Sequence, residues 1–173
     1  MRRLQAIVLG LGIVLAATLA NARTPNLAAA WNGAEINWRD VKSGIYESAK
    51  TNKPVIMVFH ASWCGYCKKY RAVFKDPGVV EASKDFVMIL VDADVDRSTN
   101  GAFSPDGTYV PRTIFVDSQG EVLAKYHGAT DPEHPHTIDI ADPAELRALM
   151  NKARAELGAR PAPAPAAGSD NKT

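Results

Sequence analysis

Residues 54–67 read Pro54-Val55-Ile56-Met57-Val58-Phe59-His60-Ala61-Ser62-Trp63-Cys64-Gly65-Tyr66-Cys67. The first six residues form a continuous apolar run, which is typical of a strand buried on both faces of a sheet. A Cys-x-x-Cys motif follows almost at once, and we expect a helix from about Cys64 to Phe74. The segment therefore predicts a buried strand that delivers two cysteines to the start of a helix.

The sequence on either side extends this pattern. A helix opens at residues 37–40 and carries an apolar stripe at four-residue spacing. A short helix is expected over residues 79–84, a second buried strand over 86–91, and a hairpin of strands 112–117 and 121–126. Polar loops cover residues 92–109 and 127–141, and Asp142-Pro143 begins a last helix that Gly158 ends. Buried strands separated by a helix imply a parallel unit, so the fold class is α/β, a mixed central sheet with helices on both faces.

The two ends of the chain differ from this domain. Residues 1–22 have a basic start, an apolar stretch and a small-x-small site ending at Ala22, which predicts a cleaved signal peptide. Residues 159–173 are rich in Pro and Ala and predict a disordered tail. We therefore expect one domain over residues 23–158. No endoplasmic-reticulum retrieval signal ends the chain, so a periplasmic or secreted location is expected.

Composition narrows the class of function. The 173 residues carry a formal net charge of +1, which gives no electrostatic reason to expect nucleic acid as a partner. The two cysteines both lie in the Cys-x-x-Cys motif, so a framework of structural disulfides is excluded. We expect a monomer that requires no cofactor.

The Cys-x-x-Cys motif has a chemical logic at a helix start. Unpaired backbone N–H groups and the positive end of the helix dipole favour a thiolate at Cys64. Because the thiolate is the attacking species in disulfide exchange, Cys64 is the expected nucleophile. Cys67 faces the same side of the helix and is the expected resolving thiol. Gly65 leaves the approach to Cys64 open, and Trp63 supplies a flat wall beside it. Tyr66 either faces solvent without a role or bears on the redox poise. We expect Trp63, Gly65 and Tyr66 to contact the substrate.

Two other interpretations of these residues stay open. Cys64 and Cys67 could form half of a zinc site, completed by histidines from His127, His134 and His136; we favour a solvated loop for those histidines and no metal. His60 ends the buried strand, where it either packs as a core residue or tunes the thiolate.

Three segments resemble the thioredoxin superfamily, and within it the small endoplasmic-reticulum thioredoxin-domain protein and the anterior-gradient proteins. They are Trp38-Arg39, His60-x-Ser62-Trp63-Cys64-Gly65-x-Cys67-Lys68, and Phe103-Ser104-Pro105-Asp106-Gly107-x-Tyr109-Val110-Pro111-Arg112. The resemblance spans about residues 36–126. It implies a thioredoxin fold, thiol–disulfide exchange with cysteine-containing proteins, and a membrane or soluble redox partner. It also implies a cis peptide before Pro111, with Val110 and Pro111 shaping the peptide-binding edge.

One departure from the resemblance concerns the strand before the cysteines. Thioredoxins carry a buried aspartate six residues before the first cysteine, and this chain has Val58 there. Fast reduction of the thioredoxin kind is therefore not expected, and the direction of exchange stays open. The alternative from another class is a binding module, such as a metallochaperone that uses the cysteine pair.

Overall fold

A computed structural model describes residues 27–158. The signal peptide and the tail assigned to residues 1–22 and 159–173 lie outside these residues. The elements are α1 (Leu27–Ala30), β1 (Trp38–Arg39), α2 (Val41–Thr51), β2 (Val55–His60), α3 (Gly65–Tyr70), a 3-10 turn at Val73–Lys75, α4 (Pro77–Ser83), β3 (Val87–Asp92), α5 (Arg97–Ala102), β4 (Arg112–Val116) and α6 (Pro143–Gly158).

The four strands form one mixed sheet in the order β1-β3-β2-β4. Strand β3 runs parallel to both β1 and β2, and β4 runs antiparallel to β2. Every residue of β2 and of β4 is buried, because each strand is covered on both faces. The thioredoxin fold expected from the sequence is therefore confirmed.

Each face of the sheet has its own apolar core. One face carries Ile56 and Val58 of β2 against α3, α4 and α6, together with both cysteines. The other face carries Val55, Met57 and Phe59 against Val41 and Ile45 of α2 and Phe103. The alternation of side chains along a strand produces this division. Helices cover both faces, as the sequence predicted.

The start of α2 is set by its N-cap residue. Asp40 is the N-cap of α2, and its carboxylate accepts from the backbone N–H of Ser43 at 3.0 Å. This cap satisfies one of the free donors of the first turn. The prediction that the helix opens at residues 37–40 was therefore wrong. Trp38 and Arg39 pair with Met88 and Ile89 as the edge strand β1.

Two further predictions of secondary structure were wrong. Residues 92–109 contain α5, which buries none of its side chains and so has no apolar stripe for sequence reasoning to find. The second hairpin strand, expected over residues 121–126, is reduced to one bridge between Val116 and Val122. The chain turns there, because the N–H of Tyr126 donates to the carbonyl of Leu123 at 3.0 Å and the Tyr126 ring is fully buried.

The helix after the cysteines is also shorter than predicted. It ends at Tyr70, and Phe74 lies in the separate 3-10 turn. Asp76 then caps α4, with Pro77 at its first position. Within residues 27–158, none of the helices has the length and apolar character needed to cross a membrane.

Candidate active site

The cysteine pair lies just beyond the carboxyl end of β2. Cys64 is the N-cap of α3, and Cys67 lies in the first turn of that helix. A disulfide joins the two residues, with their Cα atoms 5.2 Å apart. The backbone N–H of Cys67 donates to Cys64 Sγ at 3.0 Å. This N–H is one of the donors that a helix start leaves free, so the helix itself supplies a hydrogen bond to the sulfur.

The surface around the pair gives access to Cys64 only. Cys64 is 3% exposed and Cys67 is 0% exposed. Apart from its chain neighbours and the backbone of its own helix, no atom of the described residues lies within 4 Å of the position that a Cβ on Gly65 would take, so the approach to Cys64 is open there. The rings of Trp63 and Tyr66 are exposed, at 70% and 64%, and they present apolar surface to solvent on the two sides of Gly65.

Trp63 and Tyr66 are each held by one polar neighbour. The indole N–H of Trp63 donates to Asp94 Oδ2 at 2.8 Å. The ammonium of Lys69 lies 5.6 Å from the centre of the Tyr66 ring, within the range of a cation–π contact. These contacts orient two rings that would otherwise rotate freely.

The segment before β4 completes the surroundings of the sulfur. The peptide bond between Val110 and Pro111 is cis, as the resemblance implied. The carbonyl oxygen of Val110 lies 3.6 Å from Cys64 Sγ. Pro111 is buried, and its carbonyl oxygen accepts from the hydroxyl of Thr137 at 2.8 Å. The fold thus brings together all seven residues that the sequence singled out: Trp63, Cys64, Gly65, Tyr66, Cys67, Val110 and Pro111.

Arg112 is a residue of this region that sequence reasoning left unexplained. It is fully buried, and its guanidinium donates to the carbonyls of Tyr109, Asn100 and Phe103 and to Asn100 Oδ1, at 2.8 to 3.2 Å. It also stacks on the Phe59 ring at 4.3 Å. Burial holds the pKa of the Arg112 guanidinium below its usual value. The signal available in the sequence was a charged residue at the first position of the predicted strand 112–117.

Apolar and neutral groups lie behind the cysteines. Val58 is fully buried, where thioredoxins carry the aspartate. The buried hydroxyls of Tyr70 and Thr113 are 2.8 Å apart and hydrogen-bonded, and burial raises the pKa of Tyr70. At position 58 itself this chain has no carboxylate.

His60 is a packed residue of the core. Its ring lies 5.5 Å from the Trp31 ring, and neither ring nitrogen has a hydrogen-bond partner among the described residues. Burial lowers the pKa of His60, because the charged form loses its solvation. Of the two interpretations offered by the sequence, packing is the one with contacts behind it.

The loop of residues 127–141 is structured rather than uniformly solvated. His127 and His134 are exposed, but His136 is 3% exposed, so the expectation of a solvated side chain was wrong for His136. Its Nδ1 lies 3.0 Å from Asp106 Oδ2, and its backbone N–H donates to the Tyr109 hydroxyl at 2.9 Å. Within residues 27–158, no three or more His, Cys, Asp or Glu side chains are placed to hold a metal ion.

A groove of about 590 Å³ separates this loop from the cysteines. Tyr66, Val110 and Pro111 form the side next to the disulfide, and Ile138 and Ile140 are on the loop side. This volume is in the range of ligand-binding clefts. Cys64 Sγ, an exposed ring and an apolar cleft therefore lie close together.

Comparison with known proteins gives the family of this chain. Residues 37–118 match the model of a thioredoxin-like family. Anterior gradient protein 3 of Xenopus tropicalis is 31% identical over 134 residues, which cover 76% of this chain and 79% of that protein.

Two solved structures share the fold. A thioredoxin from Thermus thermophilus matches with a TM-score of 0.54 at 21% identity, over 72% of this chain and 92% of that chain. A disulphide isomerase from Xylella fastidiosa Temecula1 matches with a TM-score of 0.51 at 20% identity, over 77% of this chain and 97% of that chain. With the sequence similarity above, the chain belongs to the thioredoxin-like family, in the group of the anterior gradient proteins.

Proposed function

We propose that this protein is a thiol–disulfide oxidoreductase that exchanges disulfides with cysteine-containing proteins. The observation that carries the proposal is the N–H of Cys67 donating to Cys64 Sγ at 3.0 Å, at the start of α3. A hydrogen bond to the charged form of an acid favours that form. In the reduced protein the same donor favours a thiolate at Cys64, the residue that solvent reaches through the open side of Gly65.

Cys64 is the nucleophile of the exchange. Its thiolate attacks one sulfur of a substrate disulfide, forms a mixed disulfide, and releases the other substrate sulfur as a thiolate. Cys67 then attacks Cys64 Sγ, which forms the Cys64–Cys67 disulfide and releases the second substrate thiolate. Two electrons pass from the protein dithiol to the substrate, and the reverse sequence oxidises a substrate dithiol. A redox partner restores the starting state in either direction.

The neighbouring residues position the substrate. Val110 and Pro111 line the groove beside the sulfur, and the Val110 carbonyl lies 3.6 Å from it. Trp63 and Tyr66 offer exposed ring surface to the polypeptide that carries the target cysteine. The proton of Cys67 leaves without the buried aspartate of thioredoxins, because Val58 occupies that position, and we expect slower reduction than by a thioredoxin.

Two features outside the site support the assignment. A thioredoxin and a disulphide isomerase share the fold. The sequence of residues 1–22 favours export, and an oxidising compartment is where disulfide exchange among proteins is needed. We therefore place the activity in the periplasm or outside the cell.

Turnover of a disulfide substrate tests the proposal. The reduced protein is mixed with insulin, and loss of insulin disulfides is followed with glutathione as the electron donor. We expect turnover by the wild type and none by Cys64→Ser. Ser62→Ala, a change outside the cysteine pair, is the matched control and should retain turnover.

The second candidate, a metallochaperone, gives the opposite pattern. The purified reduced protein would hold a stoichiometric metal ion lost in both Cys64→Ser and Cys67→Ser, and insulin would stay oxidised. That result would replace the oxidoreductase assignment.

A further inference from the structure

We propose that the groove beside the disulfide selects an extended substrate segment that carries a basic residue close to its cysteine. The inference rests on the proposed function and names the substrate class of that same site. The groove is here called the acidic groove, and its lining residues are Tyr66, Tyr109, Val110, Pro111, Thr130, Asp131, His134, Thr137, Ile138, Asp139 and Ile140.

The acidic groove begins at the reactive sulfur. The carbonyl oxygen of Val110, a lining residue, lies 3.6 Å from Cys64 Sγ. Val110, beside the sulfur, and Ile140, on the loop side, are half-buried, so part of their apolar surface is accessible from the groove. A substrate cysteine in contact with Cys64 therefore places its neighbouring residues over the largely apolar groove. The groove has a volume of about 590 Å³, which is typical of a ligand-binding cleft.

The loop of residues 127–141 forms the wall of the groove opposite the cysteines, and this wall carries acidic residues but no Lys or Arg. Residues 127–141 contain Asp131, Glu133 and Asp139 and no Lys or Arg. Asp131 and Asp139 line the groove, and in the described part of the chain neither has a Lys or Arg within 4 Å. Their recorded partners are His134 and backbone N–H groups. A basic side chain on the substrate would be the first strong cation that these carboxylates meet.

The wall is built before any substrate arrives. The N–H of Asp139 donates to Glu145 Oε2 of α6 at 2.7 Å, and the N–H of Thr113 in β4 donates to the His136 carbonyl at 2.8 Å. Thr137 is tied to the Pro111 carbonyl at 2.8 Å. Because these bonds join the loop to the sheet and to a helix, the carboxylates stay at fixed positions. A preorganised wall selects more sharply than a mobile one.

The helix that carries Cys67 adds two charges of the other sign outside the groove lining. Lys68 and Lys69 of α3 are exposed, and the Lys69 ammonium lies 5.6 Å from the Tyr66 ring centre. Tyr66 is therefore a lining residue with a cation beside it, and neither lysine lines the acidic groove itself. A basic residue is favoured on the groove side alone, so its place relative to the substrate cysteine matters as well as its charge.

Matched peptide disulfides test the selection. Each peptide has one cysteine in a mixed disulfide, a neighbouring leucine, and two Lys, two Gln or two Glu placed either before or after the cysteine. Stopped-flow fluorescence gives the rate constant for attack by the reduced wild type at low salt. We expect the order Lys, Gln, Glu in one placement only, with about a fivefold difference between Lys and Glu, and a smaller one at 0.5 M salt because exposed charges are screened.

Isosteric variants assign the selection to the groove. Asp131→Asn/Asp139→Asn keeps side-chain acceptors but removes both charges, and should bring the ratio of the Lys and Glu rates close to one. Glu133→Gln removes the same kind of charge from the same loop without touching the lining, and should leave most of the ratio. Equal rates for all peptides with the wild type, or an unchanged ratio in the double variant, would overturn the proposal.

Binding separates this proposal from the proposed function. The same peptides with Ser in place of Cys, labelled with a fluorophore, are titrated with the oxidised protein and followed by anisotropy. A preference for Lys peptides that the double variant loses supports the acidic groove. If that preference is seen without any disulfide exchange, the result counts against the oxidoreductase activity and not against the groove. Peptides that are reduced but show no preference in either assay count against the groove alone.

Discussion

Replacing Arg112 by lysine should destabilise the protein and disturb the segment beside the disulfide. The guanidinium of Arg112 reaches four acceptors, three of them main-chain carbonyls of residues 100–109. A lysine ammonium keeps the charge but is a single point with no planar fork, so at least two of the four acceptors lose their donor. Each hydrogen bond to a charged group contributes about 1.5–3 kcal/mol to the free energy of unfolding. Part of the loss is recovered when the surrounding backbone relaxes around the lysine.

We therefore expect Arg112→Lys to lower the free energy of unfolding by about 3 kcal/mol. Urea denaturation of the oxidised protein, followed by far-UV circular dichroism, measures it. The matched control is Arg154→Lys, because Arg154 is 53% exposed in its ion pair with Asp85 and should change stability by less than about 1 kcal/mol.

The same change should also slow disulfide exchange. Arg112 holds the Tyr109 carbonyl, directly before the Val110 carbonyl that faces Cys64 Sγ. The rate measured under conditions where Arg112→Lys is fully folded should fall below that of Arg154→Lys. A variant as stable as the wild type within about 0.5 kcal/mol would refute the view that this guanidinium holds the loop in place.

Three further predictions follow from burial and from the helix start. Burial lowers the pKa of His60 from 6.5. As the pH falls, the unfolded chain therefore binds a proton at His60 before the folded protein does. The free energy of unfolding should fall from pH 7 to pH 5 by at most about 1.4 kcal/mol per pH unit, and His60→Phe should remove this part of the slope. A Cβ on Gly44 would stand 2.5 Å from the Ile89 side chain, so Gly44→Ala should lower the free energy of unfolding, measured with urea, by about 1–3 kcal/mol. Gly101→Ala is the control, because Gly101 lies in open space on α5, and it should not destabilise the protein. Because a backbone N–H favours the Cys64 thiolate, the reduction potential in glutathione buffers should lie between about −270 and −120 mV; a value at or below the lower figure would indicate a dedicated reductant.

The sequence was sufficient for the two central strands and for the cysteine pair because these are encoded locally. The segments of β2 and β3 contain unbroken apolar runs of six residues, which are typical of a strand covered on both faces. Cys64 and Cys67 are adjacent in the chain, and the resemblance placed Val110 and Pro111 beside them. The prediction of helices on both faces followed from the order of these elements.

The features that were missed either lack an apolar stripe or depend on partners distant in sequence. The helix α5 rests on the Asp96 cap and buries no side chain, so it has no periodic signal. His136 is buried because Tyr109 and Asp106, from another loop, come to it. The strand expected at residues 121–126 had the right composition, but burial of the Tyr126 ring against Phe115, at 5.3 Å between ring centres, draws the chain away from the sheet.

Trapping a mixed disulfide tests the central claim most directly. Cys67→Ser removes the resolving thiol, so a substrate that Cys64 has attacked should stay attached to it. Cells producing the variant are quenched with acid and alkylated, and adducts are separated on non-reducing gels and mapped by mass spectrometry. We predict high-mass species joined through Cys64, lost on reduction and missing in Cys64→Ser/Cys67→Ser. Adducts that accumulate in Cys64→Ser and not in Cys67→Ser would contradict the account, because Cys67 would then be the attacking thiol.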